Sequence, residues 1–236
     1  MFVGEYVVEK ITTGIGGLDV LLEGGIPVNH TVLLAGTSGS GKSIFSMQFL
    51  LEGAEKGEPG LYLTFEEDEA SVLKVHEEFS WNLKKHIKSD KMRIIRYDPY
   101  RFQDIMDIIS SNIKQMGAKR LVIDSVSAIG LYIQDVREIR KTLVDIQTLA
   151  KSTGCTVLII TESPSDNPKR LSRFDVEEFV ADGIIVLYYT AVSNEYTRGV
   201  FVWKMRGTNH SRKVHPFKIT SAGITVYPKE EALVKL

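Results

Sequence analysis

Three glycines, a lysine and a hydroxyl at fixed spacing, Gly36-Thr37-Ser38-Gly39-Ser40-Gly41-Lys42-Ser43, form the stretch of this 236-residue chain best suited to hold phosphate. Glycine allows the backbone to turn tightly, so successive N–H groups can converge on one anion beside the positive end of a following helix. Lys42 would neutralise the β- and γ-phosphates of a nucleotide, and the Ser43 hydroxyl would be a ligand of a bridging magnesium ion. Thr37, Ser38, Gly39, Ser40, Gly41, Lys42, Ser43 and Ile44 are the expected nucleotide-binding set, with ATP or ADP and Mg2+ as ligands. The alternative is a glycine-rich turn that carries Lys and Ser by coincidence. Composition gives such a match a probability on the order of 1% in a chain of this length. The apolar run His30 to Ala35 before the loop and the helix-compatible segment after it reduce that further.

Three carboxylates stand where such a loop needs them. Asp124 ends the run Leu121-Val122-Ile123, at the carboxyl edge of a buried strand, where open α/β sheets bind ligands. There it can hold the magnesium ion opposite Ser43, through water, or it can cap the next turn together with Ser125. Glu66 and Glu67 follow the run Leu61 to Phe65. One of them can orient and deprotonate a water that attacks the γ-phosphate, the other tuning it by like-charge proximity. Equally, Glu67, Asp68 and Glu69 suit an acidic helix start. If the strand continues through them, Glu66 and Glu67 point to opposite sides.

Two cations occur late in the chain, in Trp203-Lys204-Met205-Arg206-Gly207-Thr208-Asn209-His210. Strand alternation puts Lys204 and Arg206 on one side, where they can clamp phosphate oxygens or form an ordinary solvated face.

These residues need a scaffold, and the apolar pattern supplies one. Strand-like runs at Thr31 to Ala35, Leu61 to Phe65, Met92 to Tyr97, Arg120 to Asp124, Thr156 to Thr161 and Ile184 to Tyr189 alternate with helical periodicity. Ile105, Ile108, Ile109, Ile113 and Met116 make one helical stripe, and Ile139, Leu143, Ile146, Leu149 and Ala150 another. That rhythm predicts an α/β fold with a mostly parallel twisted sheet flanked by helices. Val200 to Met205, Val214 to Ile219 and Ile224 to Tyr227 leave no room for crossover helices and are expected to add antiparallel hairpin strands. The segment Thr12 to Pro27 reads as a short helix between two tight turns. With no linker to divide it, residues 1–236 are expected to form a single domain.

The composition, 43% hydrophobic and 25% charged, suits a chain that buries a full core. No apolar run has the length of a bilayer span, and Met1 to Glu5 lacks a signal core, so the expected place is the cytoplasm, with no membrane partner. Cys155 is the only cysteine and lies in an apolar run, which predicts a buried inert thiol and excludes a cysteine metal cage. Twenty-nine basic residues against thirty acidic give a net charge of −1, which argues against a chain-wide nucleic-acid footprint.

Taken together, the chain resembles the KaiC-type branch of the RecA/RadA superfamily from Thr13 to about Tyr227. The resemblance rests on Thr13-Gly14-Ile15-Gly16-Gly17-Leu18-Asp19 with Gly24-Gly25-Ile26-Pro27, the phosphate loop, Thr64-Phe65-Glu66-Glu67, Leu121 to Ser125, and Lys204 to His210 followed by Pro216-Phe217. It implies a RecA-like P-loop NTPase core and rings, usually hexamers, that bind ATP at subunit interfaces. By the same resemblance Glu66 and Glu67 are the paired catalytic glutamates, acting with Lys42. Lys204, Met205, Arg206, Thr208 and His210 then serve the nucleotide held by a neighbouring subunit. Clock-type relatives carry two such domains in tandem, where this chain has one. Their autophosphorylating half has adjacent Ser and Thr where this chain reads Asp175 to Asp182, so self-kinase activity is not expected. Asn29 replaces a frequent Gly before the first strand, a change that left-handed backbone geometry tolerates.

The leading expectation is a slow, ring-forming ATPase whose nucleotide state controls assembly or the binding of a protein client. A recombinase-like single-stranded DNA reading rests on Lys169, Arg170 and Arg173 in the loop Ser163 to Phe174, with Phe174 as the one stacking candidate. A non-catalytic nucleotide sensor and a kinase acting on a partner are the other readings.

Overall fold

The computed structural model describes residues 8–98, 104–130, 132–133, 135–164, 170–192 and 195–232. In chain order its elements are β1 (Lys10–Ile11), α1 (Leu18–Leu21), β2 (Ile26–Pro27), β3 (Thr31–Gly36), α2 (Lys42–Lys56), β4 (Gly60–Thr64), α3 (Glu69–Val75), α4 (Leu83–Lys88) and β5 (Met92–Arg96). There follow α5 (Ile105–Met116), β6 (Arg120–Asp124), α6 (Val126–Ile129), α7 (Val136–Thr153), β7 (Thr156–Glu162), α8 (Glu177–Val180), β8 (Gly183–Val192), β9 (Glu195–Met205), β10 (His215–Thr220) and β11 (Gly223–Val226).

A strand buried on both faces must be apolar throughout, and every residue of β3 is buried. It lies in the middle of a nine-stranded sheet of order β11-β10-β9-β8-β3-β7-β6-β4-β5. From β8 to β5 each neighbouring pair is parallel, and connections long enough to cross the sheet, each containing helix, separate those strands in sequence. Beyond β8 the pairing is antiparallel, as the hairpin reading expects. The β8–β9 hairpin reaches further than its apolar stretch, since Glu195, Tyr196 and Thr197 are exposed and carry no hydrophobic alternation.

Successive residues of a strand face opposite sides, so Leu33 and Leu34 enter different cores. One core joins Leu34 to Phe45, Phe49 and Ile224, beneath α2 and the C-terminal hairpin. The other joins Leu33 to Ile109 of α5 and Leu143 of α7. Ile105, Ile109, Ile113 and Met116, with Ile139, Leu143, Ile146 and Ala150, are buried as their spacing predicts. Ile108 and Leu149 pack at the margin.

The glycine-rich N-terminal segment does contain a short helix, α1, and the Asp19 carboxylate fixes its entry by accepting from the Thr13 amide at 2.9 Å and the Thr13 hydroxyl at 2.8 Å. Asn29 has φ 62°, the left-handed geometry expected of it. Arg120 is fully buried at the start of β6, where its guanidinium meets Glu58 and the carbonyls of Thr12 and Phe49, and lies 4.6 Å from the Phe49 ring centroid. It ties the N-terminal segment and α2 to the sheet.

Going from β3 to β4, the chain passes over β7 and β6. The carboxyl ends of these strands therefore surround the start of α2, the crevice where open α/β sheets take ligands.

Candidate functional site

The loop between β3 and α2 is shaped by glycines that other residues replace poorly. Gly39 and Gly41 have φ 76° and 103°, and a Cβ on Gly41 would come within 3.0 Å of Ile219 Cδ1. The first turn of α2 thus presents free amide N–H groups, a ready anion site. Lys42 Nζ donates to the carbonyls of Gly36 and Thr37, each at 2.9 Å, which bends the side chain back over the loop. Burial lowers its pKa, while the charges of Glu162 and Asp124 act to raise it.

Facing the loop is a cavity of about 360 Å³, within the range of small-ligand sites. Lys42, Ser43, Glu66, Glu67 and Asp124 all line it, together with Ser38, Gly39, Gly41 and Ile44. Thr37 and Ser40 do not. Thr37 turns its carbonyl to Lys42, and the buried Ser40 hydroxyl has no partner among the described residues.

Asp124 ends β6, as its sequence position predicts, and Ser125 follows across a cis peptide bond. The alternative in which both cap the next turn holds for Ser125 alone, whose hydroxyl accepts from the Ala128 amide at 3.2 Å. Asp124 instead accepts a hydrogen bond at Oδ2 from the Tyr62 hydroxyl. Burial raises the Asp124 pKa; Tyr62 and Lys42 oppose the rise, and Glu66 and Glu67 add to it. Both glutamates therefore lie within electrostatic reach of Asp124.

β4 stops at Thr64, one residue short of the expected Phe65, so strand alternation does not govern the glutamates. The Thr64 hydroxyl accepts from the amides of Glu66 and Glu67, both at 3.3 Å, and this turn lets both side chains line the cavity. The acidic helix start is real and belongs to Asp68 and Glu69, with Glu69 in the first turn of α3 and Asp68 capping it by accepting from the Ser71 amide at 2.8 Å.

Lys204, Met205, Arg206, Thr208 and His210 line no part of this cavity. β9 ends at Met205, so Arg206 lies beyond the alternation expected to align it with Lys204. The two charges are close all the same, because both turn toward α8 and the residues just after it. Lys204 Nζ donates to the Glu178 carbonyl at 2.7 Å, and Arg206 pairs with Asp182 at 2.9 Å. Burial, then the nearby Arg206 charge, lowers the Lys204 pKa. Met205 is buried against Gly183, and its carbonyl accepts from the Thr208 amide at 3.2 Å. The Thr208 hydroxyl is buried without a partner among the described residues, and His210 Nδ1 lies 2.8 Å from the Ser211 carbonyl.

Two of the three cations proposed for a nucleic-acid channel are engaged within the chain. Arg170 pairs with Asp175 at 2.7 Å, and Arg173 lies 3.8 Å from Glu162. Phe174 is packed on Gly130, where a Cβ would come within 1.9 Å of its ring. Lys169 lies outside the described residues.

Sequence reasoning missed Tyr62, Glu162, His76 and Arg198, all of which line the cavity. Glu162 ends β7, and the strand-end rule that found Asp124 would have found it. Tyr62 is a polar tip inside an apolar strand. Arg198, on β9, stacks 4.4 Å from the Tyr189 ring centroid, and no local pattern signals that.

The donor set suits Mg2+ that arrives with a nucleotide. Among the described residues no group of three or more His, Cys, Asp or Glu could cage a metal alone. One hydroxyl and one carboxylate beside a phosphate site match the way Mg2+ is held jointly by protein and phosphate oxygens. No helix among the described residues is long and apolar enough to cross a membrane.

Comparison with known proteins agrees with this geometry. A family model described as "ATPase: KaiC" matches residues 11–231. The UPF0273 protein of Pyrococcus furiosus is 37% identical over 94% of this chain and 95% of its own length. The circadian clock oscillator protein KaiC of Parasynechococcus marenigrum is 32% identical over 94% of this chain, which spans 45% of that longer protein. The crystal structure of a KaiC-like protein from Pyrococcus horikoshii superposes with a TM-score of 0.86 at 39% identity, covering 94% of this chain and 100% of that one. With its nine-stranded RecA-like sheet and its phosphate loop, the chain belongs to the KaiC ATPase family.

Proposed function

We propose that the protein binds ATP in the cavity at the start of α2 and hydrolyses it slowly, within a homo-oligomeric ring, a hexamer by family likeness. In this reading the nucleotide sits at subunit interfaces, and its state controls assembly or the binding of a protein client. One observation carries the reading: Lys42, Ser43, Asp124, Glu66 and Glu67, drawn from three separate stretches of sequence, line one cavity.

Each residue then has a role that follows from its place. The amides of the loop and the start of α2 hold the β-phosphate, and Lys42 moves its ammonium from the Gly36 and Thr37 carbonyls toward the β- and γ-oxygens. Ser43 and Asp124 would hold Mg2+, which when bound withdraws charge from the phosphates. Glu66 or Glu67 orients the attacking water and takes its proton. The departure of Lys204 and Arg206 from their own subunit's cavity supports their use, with Met205, Thr208 and His210, at a neighbour's γ-phosphate. The ion pairs of Arg170 and Arg173 leave the DNA reading less support.

The test is phosphate release from ATP beside light scattering with ATP, with ADP and without nucleotide. Release together with an ATP-dependent rise to a ring-sized mass is expected, and Glu66→Gln or Glu67→Gln should cut release by about 10²-fold or more while ATP still binds. A stable monomer that binds ATP tightly without releasing phosphate would overturn the interface reading.

A further inference from the structure

Tyr62 sits in the middle of β4, 2% exposed, with its ring in the core that also holds Phe45, Met47 and Val122. It is opposite Val122 in the β4–β6 register, and Thr64, the next residue on the same face, is opposite Asp124. The side chain therefore reaches diagonally toward the strand's carboxyl end and delivers one polar atom to the cavity. A phenylalanine would fill the same core, so the hydroxyl is what needs explaining. It donates to Asp124 Oδ2 beside Ser43, which lines the same cavity.

The direction of this bond matters. Asp124 takes the tyrosine proton at Oδ2, and its Oδ1 accepts no hydrogen bond among the described residues. A ring clamped by core packing is a rigid donor, so the carboxylate is held before any ligand arrives. We propose that Tyr62 is a positioning residue for metal binding, holding Asp124 by Oδ2 so that its other oxygen is presented, beside Ser43, to the Mg2+ that accompanies a nucleotide. This rests on the nucleotide reading above and adds to it a residue outside the phosphate loop and the strand-end carboxylates.

The experiment titrates Mg2+ into purified protein holding a fluorescent ADP analogue, without turnover, and reads the Mg2+ concentration that half-completes the change in affinity. Partners that orient metal ligands typically carry about 10- to 100-fold in metal affinity, so Tyr62→Phe should raise that midpoint about 10-fold. In an Asp124→Asn background, Tyr62→Phe should add little, because the carboxylate it orients is gone. A midpoint within twofold of the parent, equal weakening with and without Mg2+, or full additivity of the two substitutions would each overturn the proposal while leaving the nucleotide site standing. An unsubstituted protein whose nucleotide affinity ignores Mg2+ would overturn the metal reading itself. Should Tyr62→Phe alone fail to fold by circular dichroism, the double variant, which removes donor and carboxylate charge together, supplies the comparison with Asp124→Asn.

Discussion

Replacing Lys42 by methionine keeps the aliphatic stem and removes the one cation inside the phosphate loop. Two unit charges about 4 Å apart at an effective dielectric constant of about 20 attract by about 4 kcal/mol. That gross value is not the net effect, because the ammonium already holds the carbonyls of Gly36 and Thr37 at 2.9 Å and must exchange those bonds for phosphate oxygens. A hydrogen bond to a charged group is worth about 1.5–3 kcal/mol, so a net loss of about 2–3 kcal/mol remains, roughly a 30- to 200-fold weakening. Isothermal titration of ATP with Mg2+ into Lys42→Met and the parent, with folding followed by circular dichroism, measures it directly. A folded Lys42→Met protein that binds ATP within about fivefold of the parent would refute the assignment of this lysine to the phosphates.

Arg120→Met should destabilise the fold by about 3 kcal/mol, read from the urea midpoint, since it strands the Glu58 carboxylate and leaves two carbonyls without their donor; a change under about 1 kcal/mol would contradict the hub role. Asp182 is held below its ordinary pKa: burial acts to raise it, but the Thr31 amide and Gln147 hydrogen bonds, with the Lys151 and His30 charges, together outweigh that. A depressed folded pKa contributes stability that is full above the unfolded value of 3.8 and is lost as pH falls from there through the folded pKa, so Asp182→Asn should flatten the acid limb between those two values in denaturation curves. Cys155, fully buried with its pKa pushed up to about 12, should resist thiol reagents at pH 8 until the protein is unfolded, and rapid labelling of native protein would contradict its burial.

The α/β rhythm and the two helical stripes were legible because each depends on the spacing of apolar residues within one element, and burial follows that spacing directly. Errors gathered at element ends. β4 was expected to run through Phe65, but Thr64 turns its hydroxyl onto the two following amides and ends the strand. β9 was expected to start at Val200, yet its exposed first residues pair with β8 without any hydrophobic signal.

The sequence by itself determined the phosphate loop, the alternation of strands and helices, and the strand-end place of Asp124, because short-range spacing of glycines, charges and apolar residues dictates each of them. Tertiary structure alone decided that Tyr62 donates to Asp124, that Arg198 reaches the cavity from β9, that both glutamates line it, and that Arg170 and Arg173 are already paired. Those contacts depend on the register of strands that are neighbours in the sheet but distant in the chain, and on where a hydroxyl or carboxylate finds its partner once water is excluded. No local pattern encodes either.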